Sequence, residues 1–288
     1  MNNKVSQQKK HGLLAIHGAV LLFALSGLFA KWLTLPAMFI VFGRAFFAAI
    51  SLAAFIILFK KQSLKINVHT LFALMITGAI LAIHWGSFFQ AIQVSNVAIG
   101  LITFATFPVF VSLLEPICFK EKLAPRAVFQ ALLTILGIYF ILPENINNSG
   151  IVNGVCWGIA SAFSFAILTL LNRNFVVNSS ATTISFYQNS FAAILLIPFI
   201  LESAKSVSFE QVVLLALLGI VFTAFAHSLF NYSLKTITAQ TASIAVSLEP
   251  IYGIIAAYFL LNETISLMMS IGGIIVLATN VWALRNHE

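Results

Sequence analysis

From Gly12 onward the chain runs in long apolar stretches separated by short polar punctuation. A helix needs about 20 apolar residues to cross a ~30 Å hydrocarbon core. Ten stretches meet that measure, at 12–31, 37–59, 70–91, 97–119, 125–142, 151–171, 180–201, 211–233, 239–261 and 265–284. The pattern predicts an all-α integral membrane protein of ten transmembrane helices, with no room in the short loops for a soluble domain.

Composition agrees: 60% of the residues are hydrophobic and 8% charged, against about 25% charged in soluble domains. Too few polar side chains exist to cover a water-facing surface. Lys4, Lys9 and Lys10 precede the first run, but it is long for a leader and nine more follow, so it reads as a retained span. Cys118 and Cys156 sit at the ends of different spans without metal-ligand spacing and read as reduced packing residues.

Charge orients the chain. With a cytoplasmic N-terminus, Lys4, Lys9, Lys10, Lys60, Lys61, Lys65, Lys120, Lys122, Arg126, Arg173, Lys235 and Arg285 fall inside. Lys31 and Lys205 fall outside, and Arg44 lies within span two. This positive-inside bias puts both termini in the cytoplasm. The net charge of +7 therefore belongs to loops facing anionic lipid and gives no reason to expect nucleic acid.

The two halves repeat. At an offset of 142, "WGSFFQAIQVSNVAIG" from Trp85 overlays "HSLFNYSLKTITAQTA" from His227, Pro108 meets Pro250, and Glu121 meets Glu263. His17-Gly18 matches Trp157-Gly158 with a small slip. Five spans per half is an odd number, so the second half enters from the opposite side as an inverted repeat. Inverted repeats build many secondary transporters, with the substrate near the midplane. The expected division is a cytoplasmic tail at 1–11, five-helix repeats at 12–142 and 151–284, and a second cytoplasmic tail at 285–288.

Ten spans in a 5+5 arrangement, a proline in spans four and nine, and a glutamate thirteen residues later at "FKEK" and "LLNE" resemble the EamA branch of the drug/metabolite transporter superfamily. The resemblance covers essentially the whole chain. It implies an inner-membrane carrier, often an exporter of amino acids or related metabolites, working by alternating access. "SLEPIYG" departs from the commoner form, which has a small or apolar residue before the proline, so Glu249 is read on its own chemistry.

A carboxylate at the middle of a span costs about 2.5–3.5 kcal/mol on insertion scales. Ala245, Gly253 and Ala257 share a helical strip with Glu249, so the acid is expected to face protein or a cavity. Pro108 and Pro250 are expected to kink their helices and free the carbonyls of Phe104 and Val246. Gly219, Thr223, His227, Asn231 and Lys235 form a polar stripe at intervals of four. From it His227 and Asn231 are candidate pathway residues, joined by Ser161 and Trp157 on span six, Tyr252 on span nine and His84 on span three.

Arg44, about seven residues into span two, resembles an arginine common in the family. Its partner is a substrate carboxylate, Glu249 or a structural ion pair. Trp85 and Gln93 have interfacial anchoring as their alternative reading. Glu115 is expected to pair with a loop lysine, Lys120 or Lys122. Glu121 and Glu263 are expected to close their helices structurally, and Ser270 in span ten to be peripheral.

No zinc, nucleophile-elbow or phosphate-loop motif is present, so no enzyme, cofactor or metal is expected. The reading is a secondary transporter of a small metabolite, an amino acid or related zwitterion, with export favoured. Protons are a candidate second substrate, because Glu249 and His227 can both titrate. The alternative is an importer or exchanger of a cationic metabolite, with a receptor or an intramembrane enzyme as remoter classes. Monomer and homodimer both stay open.

Overall fold

A helix closes its own backbone hydrogen bonds, which hydrocarbon demands. A computed structural model describes residues 2–60, 64–119, 125–141, 149–175, 180–201, 207–246 and 248–285, and these are helical within every predicted stretch. The elements are α1 (Asn2–Ser26), α2 (Phe29–Trp32), α3 (Ala37–Ala54), α4 (Val68–Val94), α5 (Val97–Phe104), α6 (Phe107–Phe119) and α7 (Pro125–Ile141). The second half supplies α8 (Ser149–Phe175), α9 (Ala181–Leu196), α10 (Phe209–Gly219), α11 (Ala226–Ser233), α12 (Ala239–Val246), α13 (Glu249–Leu261) and α14 (Leu267–Arg285). π-helical turns at Phe55–Lys60 and Ile220–Phe225 continue α3 and join α10 to α11.

Among the described residues six helical segments are long and apolar enough to cross a membrane: Lys10–Trp32, Ala37–Phe59, Val68–Val94, Val97–Cys118, Gly150–Arg173 and Phe209–Ser233. Pro125–Ile141, Glu249–Leu261 and Leu267–Trp282 are apolar but shorter. Starts are set by side-chain caps: Asn67 accepts from Thr70 N, Asn96 from Ile99 N and Ser180 from Thr183 N, while Ser208 and Gln211 form a reciprocal capping box. α1 begins at Asn2, and its apolar span begins at Lys10.

Just before Pro108 and Pro250, where kinks are expected, a turn interrupts the helix. α5 gives way to α6 after Ala105 and Thr106, and α12 gives way to α13 at Leu248, the corresponding place in the repeat. Each proline is the second residue of the new helix, where the missing N–H has no partner to lose. Asn280 donates to the carbonyl of Ala105 at 2.9 Å and accepts from Gln130 at 3.3 Å, so the first break is satisfied by α7 and α14.

Packing follows the repeat. α4 lies against α8 and α9, while in the other half α11 lies against α1 and α10 against α3. α5 and α6 meet α8 as α12 and α13 meet α1. α3 with α9, and α7 with α14, are pairs that the exchange maps onto themselves. The main core cluster runs through the centre, and α7 with α14 forms an edge pair.

That edge depends on close backbone approach. A Cβ on Gly272 would overlap the carbonyl oxygen of Gly137 and come within 2.7 Å of Ile141 Cγ1. Gly272→Leu is therefore expected to cost at least about 1–3 kcal/mol as overpacking, read as a lower melting temperature in detergent. Gly18→Ala, whose nearest neighbour would be Leu229 Cδ1 at 3.4 Å, should leave the melt unchanged.

Two ionic expectations change. Glu115 pairs with Arg173 on α8 at 2.7 Å, because that helix end reaches it directly. Glu263 accepts from Val97 N at 2.9 Å and so caps α5 in the other half, while Asn262 ends α13 in the left-handed conformation, φ 55°. Lys61, Lys120, Glu121, Lys122 and Lys205 lie outside the described residues.

Candidate functional site

Where α1, α3, α4, α11 and the broken helices converge, a small cavity is lined by Phe23, Ser26, Arg44, Leu81, His84, Trp85, Phe88, Phe104, Phe165, His227 and Glu249. Only about 20 Å³ is open to the centre of a water-sized sphere, room for one or two waters. Its lining is buried apart from Phe23, which is half-buried.

Glu249 opens α13 directly after the break, on the face shared with Gly253 and Ala257 that packs against α1 and α5. It is 2% exposed, and its Oε2 has no hydrogen-bond partner. Arg44 lines the same cavity, its Nε donating to Thr223 Oγ1 at 3.0 Å and its guanidinium carbon 4.1 Å from the Trp85 ring centroid. Such cation–π contact is worth about 2 kcal/mol when desolvated. No N···O contact of 4.0 Å or less joins Arg44 to Glu249. The cavity thus carries one group of each sign, each able to take a counter-charge.

The histidines differ. His84 Nδ1 meets Ser161 Oγ at 2.8 Å and its carbonyl oxygen at 3.1 Å, and its ring stacks on Phe165 at 4.4 Å. His227 is buried with both ring nitrogens unpartnered. Ser161 serves the site through His84.

Three expectations move. Trp157 and Tyr252 are 42% and 41% exposed and do not line the cavity. On their helices Gly158 and Gly253 make the packed contacts, against Thr103 and Leu101, and this turns the adjacent ring outward. Asn231 lies one turn beyond His227 in a separate buried network. Its Nδ2 donates to Ser185 Oγ and its Oδ1 accepts from Asn172, both at 3.0 Å. Gln188 joins in, donating to Asn172 Oδ1 at 2.5 Å and to Thr77 Oγ1 at 2.9 Å.

Sequence reasoning missed Thr77, Asn172, Ser185 and Gln188, as well as the aromatic lining. Trp85 is not an interfacial anchor; it lies buried beneath Arg44. His84, Trp85 and Phe88 share one helical face, a signal present in the sequence. Among the described residues no group of three or more His, Cys, Asp or Glu could hold a metal.

Known proteins share this architecture. The EamA-like transporter family model matches the chain twice, over residues 10–142 and 152–284. An uncharacterized transporter of Bacillus subtilis (strain 168) is 26% identical over 257 residues, covering 87% of this chain and 82% of its own. An S-adenosylmethionine uptake transporter of Rickettsia conorii (strain Malish 7) is 24% identical over 255 residues, covering 86% and 83%. A protein of known crystal structure superposes with a TM-score of 0.67 at 17% identity over 98% of this chain and 99% of its own, which speaks for the fold alone. With the family model spanning nearly its full length in two copies, the chain belongs to the EamA-like transporter family of the drug/metabolite transporter superfamily, and it is a multi-pass membrane transporter and not an enzyme.

Proposed function

We propose that the protein is a secondary transporter of the plasma membrane that exports a small zwitterion, an amino acid with an apolar or aromatic side chain, by proton-coupled alternating access. The observation carrying this reading is the presence of Arg44 and Glu249 in one small, aromatic-lined cavity without an ion pair between them. A carboxylate meets Arg44, an ammonium meets Glu249, and Phe23, Phe88, Phe104 and Phe165 surround the side chain. Ten spans in two inverted halves are supported by the exchange-symmetric packing and by helix breaks at equivalent places. The positive-inside bias supports cytoplasmic termini, and protons entering as substrate leaves set the outward direction.

A second reading has one observation in its favour. Relatives in Rickettsia are named S-adenosylmethionine uptake transporters, and aromatic walls also suit a sulfonium cation. Under it the chain imports or exchanges a cationic metabolite, with Glu249 as counter-charge.

Counterflow in proteoliposomes separates the two. Labelled L-phenylalanine is expected to exchange against unlabelled L-phenylalanine and to be competed only weakly by phenethylamine, which lacks the carboxylate. Preferential exchange of S-adenosylmethionine would select the second reading, and no exchange of either compound would overturn both.

A further inference from the structure

Thr223 touches no part of the cavity surface, yet it holds the cavity's cation. It lies in the π-helical turn Ile220–Phe225 and is fully buried. Its hydroxyl hydrogen is committed to the carbonyl of Leu218, five residues back, at 2.7 Å. The oxygen lone pairs are left to accept from Arg44 Nε–H at 3.0 Å. A hydroxyl that donates to a carbonyl is a better acceptor, so this bond has a fixed polarity.

The neighbouring backbone is shaped for the contact. At Gly219 a Cβ would come within 2.6 Å of Phe47 Cβ, 2.8 Å of Arg44 O and 3.1 Å of Ala48 N. The missing side chain is what lets α10 lie against the α3 backbone at Arg44. π-turns inside α-helices are frequent at functional sites, and this one sits where the two helices touch.

A guanidinium can offer a carboxylate either of two edges, the side edge containing Nε or the end edge made of the two Nη groups. In this protein Thr223 occupies Nε and Trp85 covers one face of the group. Among the described residues no acceptor meets the Nη atoms. We infer that Thr223 is a positioning residue that withdraws the side edge of Arg44 and presents its end-on fork to the substrate carboxylate. The inference rests on the zwitterion reading above and names the residue that sets its carboxylate selectivity.

The test compares Thr223→Val with wild type, measuring how well L-phenylalanine and L-phenylalaninamide compete for counterflow. The amide keeps the ammonium and ring and loses the carboxylate. Thr223→Val is expected to lower the acid-over-amide preference about tenfold, the scale of one hydrogen bond to a charged group, with the amide itself competing as before. Thr223→Ser should restore the preference. A Thr223→Val carrier with wild-type preference overturns the inference while leaving the zwitterion reading intact. A wild-type carrier that treats acid and amide alike overturns the carboxylate reading and this inference with it. Should Thr223→Val fail to give folded carrier, Thr223→Ala makes the same comparison without added bulk.

Discussion

Replacing Glu249 by glutamine is expected to abolish substrate accumulation driven by a proton gradient while leaving substrate-for-substrate counterflow intact. The amide keeps the size of the side chain and its ability to hydrogen-bond an ammonium, so a loaded carrier can still close and reopen. What it removes is the ability to gain and lose a proton inside a cavity with room for one or two waters. A charged carboxylate is costly at that depth, and substrate or proton can each neutralise it. Competition between the two for one group is a direct route to coupling, and glutamine cannot take part. In proteoliposomes with an imposed pH difference, the variant's final concentration ratio should fall to the equilibrium value and its rate should lose its response to external acidification. An unchanged pH response would assign coupling elsewhere, with His227 and its unpartnered nitrogens as the next group to replace.

The second large effect is expected from Gln188→Leu. Thr77, Asn172, Ser185, Gln188 and Asn231 are all buried and join α4, α8, α9 and α11. With the cytoplasmic termini proposed above, the network falls on the cytoplasmic side of the cavity, Thr77 being about 10 Å along α4 from His84. Leucine at 188 takes the donor away from Asn172 Oδ1 and Thr77 Oγ1, while Asn172 keeps its bond to Asn231 and Thr77 its bonds to the Ala73 and Leu74 carbonyls; a buried acceptor left unmet costs about 1–3 kcal/mol. That penalty falls on the conformation in which these helices are clamped together, and opening to the cytoplasm relieves it. In a background with Cys118 and Cys156 replaced by serine, a cysteine introduced at Ser26 on the cavity wall reports the change. Its modification by an impermeant thiol reagent from the cytoplasmic side should speed up at least about tenfold, a shift of about 1.4 kcal/mol. A lower melting temperature without faster modification would make the network a matter of fold stability alone.

The helices and the principal site residues were legible because lipid makes polarity expensive. Glu249, Arg44, His84 and His227 stand out in apolar runs, and the structure gathers all of them at one cavity. The misplacements share one cause. The chemistry of Trp157 and Tyr252 points to site residues, but a helix is turned by its smallest residues, which permit contact. Gly158 and Gly253 mark the packed faces, one position away from each ring. The amide network was invisible for a different reason. Asn172 and Gln188 lie on different helices, each among other polar residues, and only the third dimension shows that they answer one another. The turns that precede Pro108 and Pro250 also show only in the fold, since a proline in the sequence does not say how far the helix is interrupted.

The two breaks are equivalent in the repeat, yet they are chemically unlike. Glu249 begins the helix after the second break, and 142 positions earlier the residue that begins the helix after the first break is Phe107. The duplicated architecture therefore carries its acid in one copy only. A carrier with a single such group can exchange at most one proton per turnover through it, which sets an energetic ceiling. Each unit of pH difference supplies about 1.36 kcal/mol per proton, enough for about a tenfold concentration ratio of an electroneutral substrate. A second acid at Phe107 would be the change that raises this stoichiometry from one to two.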